Sequence, residues 1–271
     1  MSEKTIVVSL PAKKAKTSGN SSKWLLGTIF PVLLLVIWEW ASRFGIISAH
    51  LLPSPSTILA TIGSMAQDGT LWGHIGFTLV RIAAGFAIGI VIATVLGSLV
   101  GLNRTVEALL DPIIQAFRSI PSLAWVPLFI LWMGISEESK VVLIAVGVFF
   151  PVYLNIVSGI QNVDRKLVEV GKLYHFSTFE LIYRIILPAA MPSYLTGLRS
   201  GLGLGWMFVV AAELMGASQG LGFLLVNGQN TYAPEIILSS IVLFAILGKL
   251  SDSLLKALEA KVLFYQDRIA K

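Results

Sequence analysis

The sequence predicts an all-α, polytopic membrane protein with six transmembrane helices and both termini on the cytoplasmic side. Three observations carry this. Of 271 residues, 55% are hydrophobic and only 13% are charged, about half the charged share of a soluble domain. The apolar residues gather into runs close to the ~20 residues that span a bilayer. With the N-terminus inside, seventeen of the twenty Lys and Arg residues fall on the inner side, and only Arg43, Arg81 and Lys140 on the outer. That asymmetry sets orientation, and an odd number of spans would destroy it.

Residues 1–23 are polar, with Lys4, Lys13, Lys14, Lys16 and Lys23, and are expected to form a disordered cytoplasmic tail. The membrane domain follows over residues 24–260. Its first apolar run, Trp24 to Ala41, is longer than a signal-peptide core of about 7–15 residues. The following "EWASRFG" is a poor cleavage site, so the run is expected to be retained as the first span. "LLPSPSTI" is then an extended segment leading into an amphipathic helix that ends near Gln67.

The second span, Phe77–Gly101, places Gly85, Gly89, Ala93, Gly97 and Gly101 at every fourth position. Such a stripe lets another helix approach closely. Either it packs within one subunit, or it forms a subunit interface on which helices slide. The third span, Pro112–Met133, holds Pro112, Pro121 and Pro127. Prolines free backbone carbonyls, which a membrane tolerates only where protein or water satisfies them. The segment is therefore a kinked helix, either lining a polar path with Pro121 and Trp125 or kinked without one. Lys140–Gly159 is the fourth span. Ala189–Glu213, the fifth, repeats the small-residue device with Gly197, Gly201 and Gly205; Ile236–Leu255 is the sixth, and residues 261–271 form a cytoplasmic tail. The charges within apolar runs, Glu39, Arg81, Arg199, Glu213 and Lys249, lie mostly near span ends, where long side chains reach water. Arg81 stands about one turn inside the outer end of its span, where an entering anionic solute meets it.

Between the fourth and fifth spans, about residues 164–188, lies the longest cytoplasmic loop. Leu167, Val170 and Tyr174 recur at helical spacing, with Arg165, Lys166, Glu169 and Lys172 off that stripe. Ser177 followed by Glu180 fits a capping box that starts a second helix, and Glu180 and Arg184 pair at i,i+4. Pro188 is expected to stop or kink that helix. The loop is either a membrane-surface connector or a protein-docking element. Its mixed charge and apolar positions suit a protein groove better than lipid, which favours Lys and Arg.

Several chemistries are excluded. Cysteine is absent and the three histidines are scattered, so no thiolate or histidine metal centre is expected. No G-x-x-x-x-G-K-[ST] phosphate cradle occurs, and "GLGLGW" departs from a dinucleotide fingerprint at Trp206. No intramembrane Asp/Glu/His chain suggests a proton relay, and no catalytic grouping is visible. The basic balance of the chain is accounted for by topology rather than nucleic acid. Uphill transport then requires a separate energy-supplying partner. The rival classes are an ion-coupled transporter working alone and a non-transporting scaffold or membrane enzyme.

"EVGKLYHFSTFELIYRIILPAAMP" resembles the EAA loop of binding-protein-dependent ABC importer permeases. Glu169, Val170 and Gly171 stand in the opening triplet, His175 at the position where that family usually has glycine, and Ile186, Leu187 and Pro188 at the ending. Nearly the whole chain after residue 24 is similar to the branch that imports aliphatic sulfonates, taurine and nitrate. "GLRSGLGLGWMFVVAAEL" and "AILGKLSD" most resemble the aliphatic sulfonate permeases. The resemblance implies a type I importer permease fold in a bacterial inner membrane, with no cofactor of its own. It implies a homodimer, a cytoplasmic ATPase that binds ATP and Mg, and an extracytoplasmic solute-binding protein. It also implies that the loop, with Glu169, Val170, Gly171, Tyr174, His175, Ser177, Glu180, Leu187 and Pro188, couples to the ATPase.

Overall fold

A computed structural model of the protein describes residues 20–48 and 50–263. Of the two expected tails, residues 1–19 and 264–271 lie outside the described residues. Every element among the described residues is helical, and the chain forms two compact units, one ending at Ser56 and the other beginning at Thr57.

In the first unit, α1 (Asn20–Arg43) is a 24-residue helix with a broadly exposed apolar surface, including Phe30, Val36 and Ile37. Its one acidic residue has a structural task. Glu39 accepts the Ser56 backbone N–H at 3.0 Å and the Ser56 hydroxyl at 2.7 Å, and it also pairs with Arg43. It thereby satisfies one of the free N–H groups at the start of α2 (Pro55–Gln67). The expected amphipathic helix ending at Gln67 is this α2.

The second unit is organised around α6 (Glu137–Gln161), which lies between α3 (Thr70–Leu102) and α9 (Leu187–Leu214). Among the described residues, four helices are long and apolar enough to cross a membrane: α3, α6, the run Thr178–Leu214 that contains α9, and α11 (Pro234–Val262). α3 begins at Thr70, seven residues before the expected start of the second span.

Both glycine stripes serve packing inside the subunit. A Cβ added at Gly85 would lie 2.6 Å from Ile144 Cβ, and one at Gly89 2.7 Å from the Ala145 carbonyl. Gly97 and Gly101 meet Ile156 and Ile160 in the same way. On the other side of α6, Gly197 faces Asn155, while Gly201 and Gly205 face Val148. In lipid, where burial of apolar surface gives little drive between helices, this close backbone approach is the source of packing energy.

The contacts also fix direction. Gly85, Gly89, Gly97 and Gly101 meet successively later residues of α6, so α3 and α6 run parallel. Gly197, Gly201 and Gly205 meet successively earlier ones, so α9 runs antiparallel to α6. Pairs such as Trp206–Ser251 and Arg199–Glu259 set α11 antiparallel to α9. Because α3 and α6 are parallel, residues 103–136 must return from one end of the bundle to the other.

That return is where the expected third span needs correction. It is not one kinked helix over Pro112–Met133. It is α4 (Arg104–Ser119), a 3₁₀ turn (Ser122–Trp125) and α5 (Val126–Met133). Pro121 holds the preceding Ile120 in an extended conformation, φ −76° and ψ 126°, as proline does to its predecessor. Pro127 sits in the first turn of α5, where it lacks nothing, while Pro112 is accommodated inside α4. α4 is capped by the Asn103 side chain, which accepts from the Thr105 and Val106 N–H groups, and buries none of its residues fully.

A second correction concerns Pro188. The helix does not stop there. α8 (Thr178–Leu181) passes through a π-helical turn (Ile182–Ile186) directly into α9. The Leu187 N–H bonds back to the Ile182 carbonyl, an i→i−5 bond. The wider turn absorbs the residue whose missing N–H and ring would break a regular helix. Between α9 and α11 the chain inserts α10 (Leu221–Asn230). It packs through Leu221 and Leu224 on Leu71 and Leu243, with Ile62 and Met65 of α2 beside them.

Candidate functional site

The loop between α6 and α9 is a helical hairpin capped at both helix starts. Asp164 caps α7 (Arg165–Leu173) by accepting the Lys166 N–H at 2.9 Å. α7 ends in a tight reversal in which Tyr174, His175 and Phe176 donate to the carbonyls of Val170, Lys172 and Gly171. His175 makes the reversal with φ 57°, the left-handed region in which glycine is the usual occupant. Ser177 then opens α8 with a complete capping box. Its hydroxyl oxygen accepts the Glu180 N–H at 3.3 Å, and Glu180 Oε2 accepts the Ser177 N–H at 3.0 Å. Arg184 lies 3.6 Å from Glu180 and covers the Phe176 ring.

Gly171 is the buried pivot of the hairpin. A Cβ there would fall 2.5 Å from Ile185 Cδ1 and 2.6 Å from Leu181 Cδ2, so any side chain here requires those two to shift. Pro188 is exposed and Leu187 half-buried where the hairpin enters α9. The outer face is another matter. Leu173, Tyr174, Phe179 and Tyr183 are 67–78% exposed, Leu167 and Val170 are each 48% exposed, and Phe179 stacks on Tyr183. Glu169 is exposed beside them, with no ion-pair partner among the described residues. The hairpin therefore presents several large apolar side chains and a carboxylate to its surroundings.

Arg81 is not available to a passing anion, contrary to the sequence expectation. It is 2% exposed and makes four hydrogen bonds within the protein. Nε and Nη2 bond Glu137 at 2.5 and 2.8 Å; Nη1 bonds Glu213 at 2.8 Å and the Gln219 carbonyl at 2.6 Å. Glu213, 1% exposed, also accepts the Thr78 hydroxyl at 2.8 Å and the Gly222 N–H at 2.7 Å. Thr78 accepts the Leu221 N–H at 2.9 Å, and His74 Nδ1 accepts the Gly220 N–H at 3.1 Å. Lys140 pairs with Glu137 at 2.8 Å. Two cations meet two carboxylates, so their charges balance. It ties the ends of α3, α6 and α9 to the start of α10, at the end of the bundle away from the hairpin. Sequence reasoning missed Thr78, Glu137 and Glu213 as partners. The available signal was that Arg81 and Glu213 are opposite charges, each inside an apolar run.

Arg199 is likewise engaged, with Asp252 at 3.1 Å and Glu259 at 3.2 Å. The remaining expected residues, Pro121 and Trp125, sit at the break between α4 and α5. There Phe117, Trp125, Phe129, Phe149 and Phe150, with Ile114 and Val146, line an open apolar groove of about 210 Å³. The Trp125 and Phe117 rings are 5.6 Å apart. Hairpin, ion cluster and aromatic groove are therefore three separate places on one helical core.

The family described as "Binding-protein-dependent transport system inner membrane component" matches residues 85–264. The putative aliphatic sulfonates transport permease protein SsuC of Bacillus subtilis (strain 168) is 40% identical over 256 residues, which cover 94% of this chain and 93% of that protein. Its namesake in Escherichia coli (strain K12) is 40% identical over 240 residues, covering 88% and 91%. The taurine transport system permease protein TauC of the same organism is 35% identical over 242 residues, covering 88% and 87%. Among solved structures, an inward-facing MetNI methionine ABC transporter aligns with a TM-score of 0.58 at 21% identity, over 71% of this chain and 95% of that one. An amino acid ABC transporter crystallised with histidines aligns with a TM-score of 0.62 at 16% identity, over 74% and 97%.

Proposed function

Because this chain belongs to the family of binding-protein-dependent inner membrane transport components, and so is the permease subunit of an ABC importer, we propose that it carries small aliphatic sulfonates inward and is driven through its α7–α8 hairpin. The observation that carries the coupling half is the hairpin itself: capped at both helix starts, pinned at Gly171, and apolar on its exposed face. A lever must keep its shape when its partner moves, and the two caps and the close contact at Gly171 support that reading. A cytoplasmic ATPase that holds ATP and Mg would grip one hairpin from each of two permease copies. Its closure would draw the hairpins together and turn the pathway outward; hydrolysis would reset it. Selection of cargo would fall to an extracytoplasmic binding protein.

The parallel α3 and α6 with a return between them support five crossings in the second unit, and α1 would supply a sixth. The placement of seventeen of the twenty basic residues supports both termini inside. The cargo half rests on the names of relatives similar over nearly the whole chain. Taurine is the second reading, favoured by the 35% identical TauC.

Two experiments test these halves separately. Gly171→Leu should leave the protein in the membrane but abolish copurification with the ATPase and ATP-driven uptake; unchanged copurification and uptake would sink the coupling role. Proteoliposomes holding permease, ATPase and binding protein should take up alkanesulfonate only with ATP. Gradient-driven uptake by this chain alone would favour an ion-coupled carrier, and uptake of taurine or nitrate in place of alkanesulfonate would reassign the cargo.

A further inference from the structure

Resting on the sulfonate reading of the cargo, we propose that Arg118 receives the cargo's anionic head group inside the membrane, on a polar stripe of α4 that faces the transport path. Three observations meet at this residue: its depth, the face of α4 it occupies, and the carboxylate it lacks.

Depth follows from the pairing of α4 with α6. Glu107 accepts the Gln161 amide N–H at 2.9 Å, and Asp111 accepts the Tyr153 hydroxyl at 3.0 Å. Ile114 and Phe117 then share a groove with Val146, Phe149 and Phe150. Later residues of α4 meet earlier residues of α6, so α4 climbs antiparallel to α6 from the hairpin end of the bundle. α6 is one of the helices able to cross a membrane, and Phe149 is the middle residue of its 25. Arg118, one position beyond Phe117, therefore stands near mid-depth. The sequence pattern groups it with the inner-side basic residues; the asymmetry of that pattern survives its removal.

At about 100° per residue, Arg104, Glu107, Asp111, Gln115 and Arg118 fall within one arc of about 80° on α4. Val106, Leu110 and Ile114, beside that arc, pack on the core, and the exposed Leu109 and Ile113 lie on the opposite face. Lipid is a poor neighbour for such a stripe. Ionisable side chains within a membrane face the bundle interior, one another or a water-filled cavity, and they mark solute pathways.

Arg118 is exposed, and its one hydrogen bond among the described residues runs from Nη1 to Gln115 Oε1 at 3.1 Å. It has no ion pair among those residues. The other cations buried in or bridging this core do: Arg81 and Lys140 meet Glu137, Arg81 also meets Glu213, and Arg199 meets Asp252 and Glu259. A guanidinium is a planar fork of donors that matches two oxygens of an oxyanion, and a sulfonate offers three. Asp111 and Glu107, about two and three turns closer to the hairpin on the same stripe, oppose tight retention of an anion, as release along a pathway requires.

The test combines uptake with accessibility. In proteoliposomes holding the complete complex, Arg118→Gln should slow ATP-driven methanesulfonate uptake by about tenfold to a hundredfold, the range for losing a hydrogen bond to a charged group. Arg118→Lys keeps the charge without the fork and should recover part of that rate. Ile113→Cys, on the apolar face, should transport as wild type. The chain has no cysteine, so Arg118→Cys in the same complex carries a single thiol. An anionic, membrane-impermeant methanethiosulfonate reagent should modify it at least about tenfold faster than Ile113→Cys, because water reaches only the polar stripe, and excess butanesulfonate should slow that modification. A purely structural arginine would give no such protection.

Uptake by Arg118→Gln equal to wild type overturns the site. So does labelling of Arg118→Cys no faster than that of Ile113→Cys, or labelling indifferent to butanesulfonate. Separation of two permease copies on size exclusion of Arg118→Gln would assign the arginine to a carboxylate of the second copy and also overturn it. A wild-type complex that moves nitrate but no sulfonate overturns the cargo reading alone, and Arg118→Gln must then slow nitrate to the same degree.

Discussion

Removal of the Glu213 carboxylate should unfasten the end of the bundle opposite the hairpin. Its side chain is fully buried and Arg81 is 3% exposed, so solvent cannot replace what is lost. Glu213→Ala takes the acceptor from Arg81 Nη1, from the Thr78 hydroxyl and from the Gly222 N–H at once. Breaking a buried ion pair by deleting one partner costs about 3–5 kcal/mol. Arg81 keeps its two bonds to the half-exposed Glu137, which places the expected loss at the lower end, about 3 kcal/mol. At about 2–4 °C per kcal/mol for a chain of this size class, the melting temperature of the detergent-purified permease should fall by roughly 6–12 °C. Arg81→Met combined with Glu213→Met removes both charges and leaves apolar groups of similar length. Such a replacement is often close to neutral, so the double variant should be markedly more stable than the sum of its single changes implies. A Glu213→Ala protein melting within ~2 °C of the parent, or additive single effects in the cycle, would refute the reasoning.

Gly89→Leu should push α3 off α6, because its Cβ would meet the Ala145 carbonyl and Val148 Cβ within 2.8 Å. A loss of about 3 kcal/mol and a fall in monodisperse yield on size exclusion are expected, whereas Gly203→Ala, with nothing within 4 Å, should behave as wild type. His175→Gly should raise the melting temperature by a few degrees and retain uptake, since it relieves a left-handed residue that costs about 1 kcal/mol; His175→Val should lower it. Ser177→Ala removes one half of the capping box and should reduce hydrogen-exchange protection of the Glu180 and Leu181 amides without changing that of α9.

How far the sequence reached depends on what each feature is made of. The capping box at Ser177 and Glu180 and the helix ending at Gln67 were legible because they are set by residues a few positions apart. So were the glycine stripes, although periodicity alone left open whether they faced a neighbour helix or a second copy. The settling fact, that Ile144 and Val148 of α6 fill the stripe of α3, is a long-range pairing that no local pattern encodes. Pro188 was misjudged for a related reason. Proline chemistry disfavours a regular α-helix, but whether the chain ends, continues or widens into a π turn depends on the helix that must continue behind it. Pro121 and Pro112 show the same ambiguity with opposite outcomes, a break at one and an unbroken helix at the other. Arg81 was judged by depth along its own span, and its partners come from two other helices and a connecting segment. The departure at His175 was visible in the chain, and the backbone shows that the residue takes the left-handed conformation regardless.

The central claim is that the hairpin is gripped by a separate motor. The chain has no cysteine, so a single Tyr174→Cys on the exposed face supplies one defined reporter. In membranes holding the full complex, it should crosslink to the ATPase subunit, change its crosslinking yield when ATP is added, and be protected from a membrane-impermeant thiol reagent applied outside. Labelling from the exterior, or a crosslink pattern in which the ATPase never appears, would contradict the account.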